Sequence, residues 1–196
     1  GSASPLLNLP AGDYTLTIDA DRDATGAYAF KLRDIRADAT VIGTDTDIAG
    51  TLDPATETDA YLIQLSAGER FYFDRLAFGD YFNTSYRLFD PSGNPVWGGY
   101  VWPEDQGPLT AARTGAYLLL VEGRIGNTAA TNSYAFNVRK LVDAGGALTV
   151  GEVATAALTQ PGSRAVYTFS LTDARQLVLD ALSPTNNVPD YRWTLS

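Results

Sequence analysis

Apolar and polar residues alternate with a period of two along much of the chain. In the stretch YTLTID, Tyr14, Leu16 and Ile18 share one face, and VYTFSL repeats the pattern with Tyr167 and Phe169. Because successive side chains of a strand point to opposite faces, each stretch predicts a half-buried β-strand. Turn sequences such as DPSGNP, SAGER and PGSR separate the stretches. The pattern therefore predicts an all-β protein of sandwich type.

The predicted strands are short and follow one another along the whole chain. They are expected near residues 14–19, 27–33, 60–65, 70–76, 85–89, 95–101, 116–122, 133–139, 166–171, 176–182 and 190–195. No stretch combines helix-capping residues with apolar residues at helical spacing over the length of a typical helix.

The chain repeats itself at a spacing of 106 residues. TGAYAFKLRDI begins at Thr25, and TNSYAFNVRKL begins 106 positions later at Thr131. The same spacing joins further identical pairs: Tyr28 and Tyr134, Phe30 and Phe136, Leu52 and Leu158, Tyr61 and Tyr167, Leu65 and Leu171, Asp74 and Asp180, and Leu76 and Leu182. It slips to 103 around Tyr14 and to 105 around Arg192. Since inward-facing residues recur while outward-facing ones change, the repeat preserves a core.

The repeat divides the chain into three parts. Residues 1–36 match the C-terminal part of a preceding repeat, residues 37–141 make one complete unit, and residues 142–196 match the N-terminal half of a following repeat. Unpaired halves would expose sheet edges and apolar faces. We therefore hypothesise that the two partial units complete each other into a second sandwich, either within one molecule or end to end between molecules.

Four phrases in a fixed order carry a family resemblance: GTLDPATETDAYLIQLSAGERFYFD, YRLFDPSGNPV, GAYLLLVEG and SYAFNV. In this order they resemble the bacterial pre-peptidase C-terminal domain, over all of residues 37–141 and part of both flanks. The resemblance implies an antiparallel, jelly-roll-like β-sandwich. Such modules occur beside secreted proteases or in tandem arrays of large bacterial surface proteins, and the repeat without an intervening enzyme resembles the array case.

Charge and composition argue against several classes of function. The net charge is −9, with 14 basic and 23 acidic residues, which disfavours nucleic acid and anionic membrane surfaces as partners. No apolar run approaches the roughly 20 residues of a membrane-spanning helix, so no membrane insertion is expected. The chain has no histidine and no cysteine, which excludes a Ser-His-Asp triad, a Cys-His pair and imidazole or thiolate metal sites. A carboxylate pair for glycoside cleavage stays formally open, but nothing marks one pair out, and we expect no enzyme.

The stretch PVWGGYVWPED concentrates aromatic residues in a predicted hairpin. Trp97, Tyr100 and Trp102 are candidate ligand-binding residues, because exposed rings stack on the apolar faces of sugars. In the alternative interpretation the rings pack on the sandwich or on the next repeat, with Gly98 and Gly99 forming a bulge.

The stretch DADRDATG places three carboxylates at alternate positions, like the start of a calcium loop. Asp19, Asp21 and Asp23 are the candidate ligands. Ala24 stands where the EF-hand pattern has glycine, and Phe30 stands where it has the bidentate glutamate. A polar hairpin loop without metal is therefore the alternative.

A second acidic stretch lies where the first partial unit meets the complete one. Its members are Asp45, Asp47, Asp53, Glu57 and Asp59. Calcium at this junction would stiffen an array of repeats, and calcium is the one cofactor that the sequence suggests.

The sequence thus predicts a non-enzymatic extracellular or cell-surface repeat module that acts as a spacer or adhesive segment. Its expected partners are neighbouring repeats of the same chain and glycans, and end-to-end self-association is a further expectation. Two alternatives stay open: a carbohydrate-binding module that uses the aromatic hairpin, and an accessory domain of a secreted hydrolase.

Overall fold

The structure is a computed structural model that describes residues 6–20, 22–23, 25–97, 104–182 and 192–196. Its strands, in chain order, are β1 (Thr40–Ile42), β2 (Ile48–Leu52), β3 (Thr58–Leu65), β4 (Arg70–Phe78), β5 (Thr84–Phe89), β6 (Gln106–Thr110), β7 (Gly115–Gly123), β8 (Asn132–Leu141), β9 (Ala144–Ala147) and β10 (Ala165–Thr168). A single turn of 3-10 helix (Tyr81–Asn83) precedes β5. The predicted all-β fold class is confirmed.

Strands β1–β8 form two four-stranded sheets. Sheet I has the order β1-β3-β7-β5, and sheet II has the order β2-β8-β4-β6. All neighbours in these two sheets are antiparallel except β1 and β3, which run parallel with Thr40 opposite Tyr61 and Ile42 opposite Ile63. The predicted antiparallel β-sandwich thus carries one parallel pair, at the edge of sheet I. The chain leaves β1, forms β2 in sheet II and returns to sheet I as β3, and such a crossover permits a parallel pair.

The core lies between the two sheets. Ile63 and Leu119 from sheet I meet Phe73 and Phe136 from sheet II in one buried cluster. The rings of Phe73 and Phe136 are stacked with their centroids 5.5 Å apart. Because the inward set of every long strand contributes, the complete unit closes its own core.

Strand β7 is buried on both faces. Its outward residues Leu118 and Leu120 are covered by the segment before β1, which includes Ile35. The guanidinium of Arg36 holds that segment in place by donating to the carbonyl of Ala116, 3.2 Å away. The covering segment explains why β7 reads as a continuous apolar run rather than an alternating one.

Most strands predicted inside the complete unit are confirmed. Those near 60–65, 70–76, 85–89, 116–122 and 133–139 correspond to β3, β4, β5, β7 and β8, and β10 covers the start of the one near 166–171. The structure adds β1, β2, β6 and β9, which the sequence pattern missed. Each of these four is short or interrupted by glycine or proline, so its alternation is weak. The strand expected near 95–101 is reduced to a bridge between Pro95 and Phe89 in the described residues.

The flanks contain far less sheet than the sequence pattern predicts. The segments near 14–19, 27–33 and 176–182 are not strands, and neither are the described residues of the segment near 190–195. Their apolar side chains, such as Phe30 and Leu177, are exposed. A strand needs neighbours for its backbone hydrogen bonds, and the described residues of these segments take part in no ladder. Among the described residues, no helix is long and apolar enough to cross a membrane.

Candidate functional site

Trp97 belongs to the core of the sandwich. Its side chain is only 8 % exposed, and its ring lies edge-on to Phe73 with the centroids 5.6 Å apart. The indole Nε1–H donates to the carbonyl of Tyr86 at 3.3 Å. Trp97 therefore offers no open ring face to a sugar, in line with the packing alternative. Tyr100 and Trp102 lie outside the described residues, so their role stays a prediction.

A tight turn positions Trp97 at the start of the hairpin. The carboxylate of Asp90 accepts hydrogen bonds from the backbone N–H groups of Ser92 and Asn94, each at 2.8 Å. Hydrogen bonds from the Asn94 side chain and backbone, and from Ser92, hold the pKa of Asp90 below its usual value, with Arg113 adding to the effect. The DPSGNP sequence thus acts as an Asx-type turn.

The far end of the hairpin is anchored by two carboxylates. Tyr81 donates to Glu104 at 2.8 Å, and this hydrogen bond raises the pKa of Tyr81. Asp105 accepts from Tyr72 at 3.1 Å and from the backbone N–H of Arg75 at 2.8 Å. Burial and Asp105 together raise the pKa of Tyr72 to about 12. The near end of the predicted hairpin is therefore held to β5 of sheet I, and its far end to β4 of sheet II and to the segment that precedes β5.

Beside the hairpin lies a group of rings that we call the aromatic patch, formed by Phe78, Tyr81 and Phe82. The centroids of Phe78 and Tyr81 are 5.9 Å apart, and those of Tyr81 and Phe82 are 5.2 Å apart. Phe82 is largely exposed. The guanidinium of Arg75 lies 4.7 Å from the Phe78 ring centroid. Rings bordered by a cation and by the Glu104 carboxylate are the kind of surface on which sugars stack and form hydrogen bonds.

The predicted calcium loop is only partly described. Asp19 and Asp23 are exposed, and Asp21 lies outside the described residues. Arg22, which precedes Asp23, has a left-handed backbone with φ of 55°. In the part of the chain that the structure covers, no group of three or more acidic, histidine or cysteine side chains is arranged to hold a metal ion. The three-carboxylate site therefore stays a prediction.

The acidic stretch at the junction is used for internal hydrogen bonds. Asp45 accepts from the backbone N–H of Lys140 and Asp47 from the side chain of Asn137. Asp59 accepts from the hydroxyl of Tyr134 at 2.5 Å. Within the same stretch, a carboxylate oxygen of Glu57 accepts from the backbone N–H of Asp53 at 2.8 Å. These carboxylates face different partners, so calcium at this junction finds no support in the described residues.

Asp74, which recurs as Asp180 in the repeat, joins the two central strands of sheet II. Its carboxylate accepts from Nε of Arg139 at 2.6 Å, between β4 and β8. This ion pair, with contributions from Asp47 and Asp45, raises the pKa of Arg139.

A buried ion pair on sheet I was not predicted. Arg87 on β5 donates to both carboxylate oxygens of Glu122 on β7, at 2.5 and 2.6 Å. The Glu122 side chain is 1 % exposed, and its burial raises its pKa while Arg87 opposes that rise. The sequence did offer a signal for this pair, since Arg87 and Glu122 are the charged residues of the strands predicted near 85–89 and 116–122. Because the two charges neutralise each other, the pair is built for structure rather than for proton transfer.

Comparison with known proteins gives remote similarity in structure. No protein-family model matches the chain, and no curated protein matches it. The pre-peptidase C-terminal domain of collagenase from Bacillus anthracis is similar with 22% identity and a TM-score of 0.38, over 52% of this chain and 94% of that domain. PliG from Aeromonas hydrophila, a periplasmic inhibitor of g-type lysozyme, is similar with 16% identity and a TM-score of 0.33, over 52% of this chain and 97% of PliG. PliG from Salmonella Typhimurium, also a periplasmic inhibitor of g-type lysozyme, is similar with 15% identity and a TM-score of 0.33, over 52% of this chain and 99% of that protein.

Proposed function

We propose that this chain is a non-enzymatic repeat module of a large exported bacterial protein, and that it acts there as a spacer or adhesive segment. One observation carries the proposal: residues 40–141 supply the whole core between the two sheets. Both sheets of this unit are four-stranded, and their central strands are hydrogen-bonded on both sides. A unit that folds locally can be repeated along a chain without depending on distant segments.

The order of the sequence phrases supports an extracellular repeat, as in arrays of pre-peptidase C-terminal domains. The acidic composition agrees with a solvated, non-associating surface along an array. The ion pairs Arg87 with Glu122 and Asp74 with Arg139 link neighbouring strands within the sandwich.

The aromatic patch supports an adhesive role in addition to spacing. Phe82 is exposed and its ring packs on Tyr81, which donates to Glu104, and Glu104 follows Tyr100 and Trp102 closely in the sequence. Trp97 is excluded from this surface because it fills the core.

A glycan-array screen, run with calcium and with chelator, tests the proposal. The chain is compared with Tyr100→Ala/Trp102→Ala and with Trp193→Ala, an exposed ring distant in sequence, as the control. Binding that is lost in the double variant and kept in the control supports the adhesive role, and calcium dependence would implicate the acidic loop. No binding under either condition supports the spacer role. Cleavage of a glycan by the purified chain would contradict both roles.

A further inference from the structure

The segment that follows β8 has the backbone pairing with which the complete unit begins. Strands β9 and β10 are parallel, with Gly146 opposite Tyr167. In the complete unit β1 and β3 are parallel, with Thr40 opposite Tyr61, and both of these residues lie 106 positions earlier. The contacts between residues 142–168 and the sandwich are therefore the place to look for a link between one unit and the start of the next.

The ladder of β9 and β10 has little to stabilise it from within. Each strand has four residues, and neither strand pairs with sheet I or sheet II. At the two ends of the ladder, Ala144 donates to the carbonyl of Arg164 at 2.9 Å and Leu148 donates to the carbonyl of Thr168 at 2.8 Å. An isolated pair of strands is marginally stable at best in water. The ladder therefore depends on its contacts with the sandwich.

Apolar burial contributes little to these contacts. No described residue beyond the end of β8 belongs to either of the two buried apolar clusters. Val142, which lies between β8 and β9, is 74% exposed, and Val166 of β10 is 44% exposed. Polar contacts are left as the main attachment of the ladder.

Asp143, which directly precedes β9, is shared by two arginines. Arg70, at the start of β4, donates from Nη1 to Oδ1 of Asp143. Arg164, which directly precedes β10, donates from Nε to Oδ2 at 2.8 Å, and its Nη2 lies 2.7 Å from the same oxygen. One carboxylate thus links a strand of sheet II to the residues that lead into both strands of the ladder. We call these three residues the ionic joint.

Arg70 also bonds directly to the turn before β10. Its Nη2 donates to the carbonyl of Gly162 at 2.9 Å. The Arg70 side chain is 14% exposed and that of Asp143 is 28% exposed, so these hydrogen bonds are partly shielded from water. Charge-assisted hydrogen bonds in such positions are stronger than the exposed ion pairs of a protein surface.

The turn before β10 is shaped to lie close to the sandwich. Ser163 donates to the carbonyl of Gln160 at 3.1 Å, and Gly162 has a left-handed backbone with φ of 75°. A Cβ at Gly162 would lie 3.1 Å from a side-chain atom of Pro108 and 3.2 Å from one of Leu141. Both the backbone conformation and the close approach favour glycine. The turn is therefore seated against β6 and the end of β8.

A cavity of about 480 Å³ lies beside the ionic joint. The charged groups that line it with Asp143 are Arg70 from β4, Arg164, Lys140 from the end of β8, and Glu69 from the turn before β4. Glu69 is paired with Lys140 at 3.1 Å. Hydrogen bonding to Arg164 lowers the pKa of Asp143, burial opposes this change, and Arg70 adds to the lowering. Asp143 therefore carries its charge at neutral pH.

We propose that the ionic joint fixes the direction in which one unit of the array leads into the next. It holds β9 and β10 against sheet II, so that successive units form a stiff array instead of a freely jointed one. The partner of this surface is the start of the following unit in the same chain. The inference rests on the proposed function for its repeat and deepens it, because it names the contact that sets the stiffness of the spacer.

Amide hydrogen exchange of the full chain at neutral pH tests the proposal. The amide of Leu148 is the probe, because it lies at the end of the ladder away from Asp143. Asp143→Asn keeps the size of the side chain and removes its charge, so it should speed the exchange of Leu148 by about tenfold or more, as expected for the loss of charge-assisted hydrogen bonds. Arg70→Gln should do the same. The amides of β3 and β7 should keep their rates in both variants.

Asp38→Asn is the matched control for the loss of a carboxylate. It removes the ion pair of Asp38 with Arg33, which measures 3.0 Å and precedes β1. The exchange of Leu148 should not change in this variant, because the pair has no part in the ionic joint.

Residual dipolar couplings measure the direction of the ladder itself. In the unchanged chain, the amides of β9 and β10 should fit the same alignment tensor as those of sheets I and II. In Asp143→Asn the couplings of the ladder should shrink or require a separate tensor.

Low pH should act like the substitution at Asp143. Because the joint lowers the pKa of Asp143, its contribution is complete above the pKa of the undocked carboxyl and is lost as the pH falls through the docked value. Glu69→Gln removes the other acid that lines the cavity and should leave this pH dependence in place.

Four results would overturn the proposal. They are an unchanged exchange rate of Leu148 in both Asp143→Asn and Arg70→Gln, an equal acceleration in Asp38→Asn, a ladder that needs its own tensor in the unchanged chain, and an equal acceleration of the amides of β3 and β7. The last result would mean that the substitution destabilises the whole unit. Exchange and couplings are measured without a glycan, so these outcomes are distinct from failure of the adhesive role.

Discussion

At the scale of single residues, small groups of side chains fix how the strands pack. Tyr61 and Tyr134 share a hydrogen bond of 2.5 Å between their hydroxyls, and Tyr134 donates to Asp59. Burial and these hydrogen bonds raise the pKa of Tyr134. Gly50 on β2 leaves the space in which the Tyr134 ring lies, since a Cβ at this position would overlap the ring. The Tyr28 to Tyr134 repeat was visible in the sequence, but the need for Gly50 was not, because it depends on a cross-strand contact.

Gly50→Ala should destabilise the complete unit by about 2 kcal/mol, the usual cost of overpacking a filled core. The measurement is the free energy of unfolding in urea. Gly26→Ala is the matched control, because no atom lies within 4 Å of the added Cβ and the backbone there is not left-handed. Equal effects at the two glycines would show that the Tyr134 contact does not decide the cost.

Arg87→Met should cost about 3 kcal/mol near neutral pH, because it leaves the Glu122 carboxylate buried without its partner. Burial raises the pKa of Glu122 in the folded chain, so this group favours folding most at acidic pH, and stability falls as pH rises from the unfolded to the folded pKa. Removing Arg87 raises the folded pKa further. The cost of the substitution should therefore shrink as the pH is lowered.

Urea unfolding at several pH values measures this dependence. Arg113→Met is the control, since Arg113 is mostly exposed and 3.8 Å from Asp90, and it should cost less than about 1 kcal/mol. Arg87→Met/Glu122→Met should recover much of the loss. A cost that is independent of pH would show that the carboxylate charge is not its origin.

At the scale of elements, the alternation of apolar residues predicted the four central strands and the edge strand β5, and it missed the other edge strands. Strands β3, β4, β5, β7 and β8 carry enough inward residues for the pattern to be recognised. Strands β1 and β6 are edge strands, short or interrupted by Gly107 and Pro108, and hydrogen bonding to a neighbour defines them more than composition does. The sequence could not place Trp97 either, because its burial depends on the turn at Asp90.

Trp97→Ala should cost about 3–5 kcal/mol in the free energy of unfolding, as expected for removal of a buried tryptophan. Trp193→Ala is the control, because that ring is 64% exposed and its loss in dilute solution should change stability by less than about 0.5 kcal/mol. A small effect at Trp97 would place its ring outside the core and return it to the candidate ligand surface.

At the scale of the whole molecule, one spacing relates the folded unit to the segments on either side of it. Strands β1–β8 form the two sheets of this unit, and β9 with β10 is the one ladder in the described part of the flanks. Such an arrangement suits a chain of sandwiches in which every unit folds locally and transmits force to the next. The recurrence of inward residues predicts one complete and two partial units, and this division stays a prediction.

The most direct test of the account is to stretch single molecules of the chain by its two ends. The account predicts that the flanks extend at low force and that residues 40–141 then unfold in one event, which lengthens the chain by about 350 Å at roughly 3.5 Å per residue. Smooth extension without an event, or a series of small events, would contradict the claim that this unit is a self-standing spacer. Two events of similar size would place the second sandwich within one molecule.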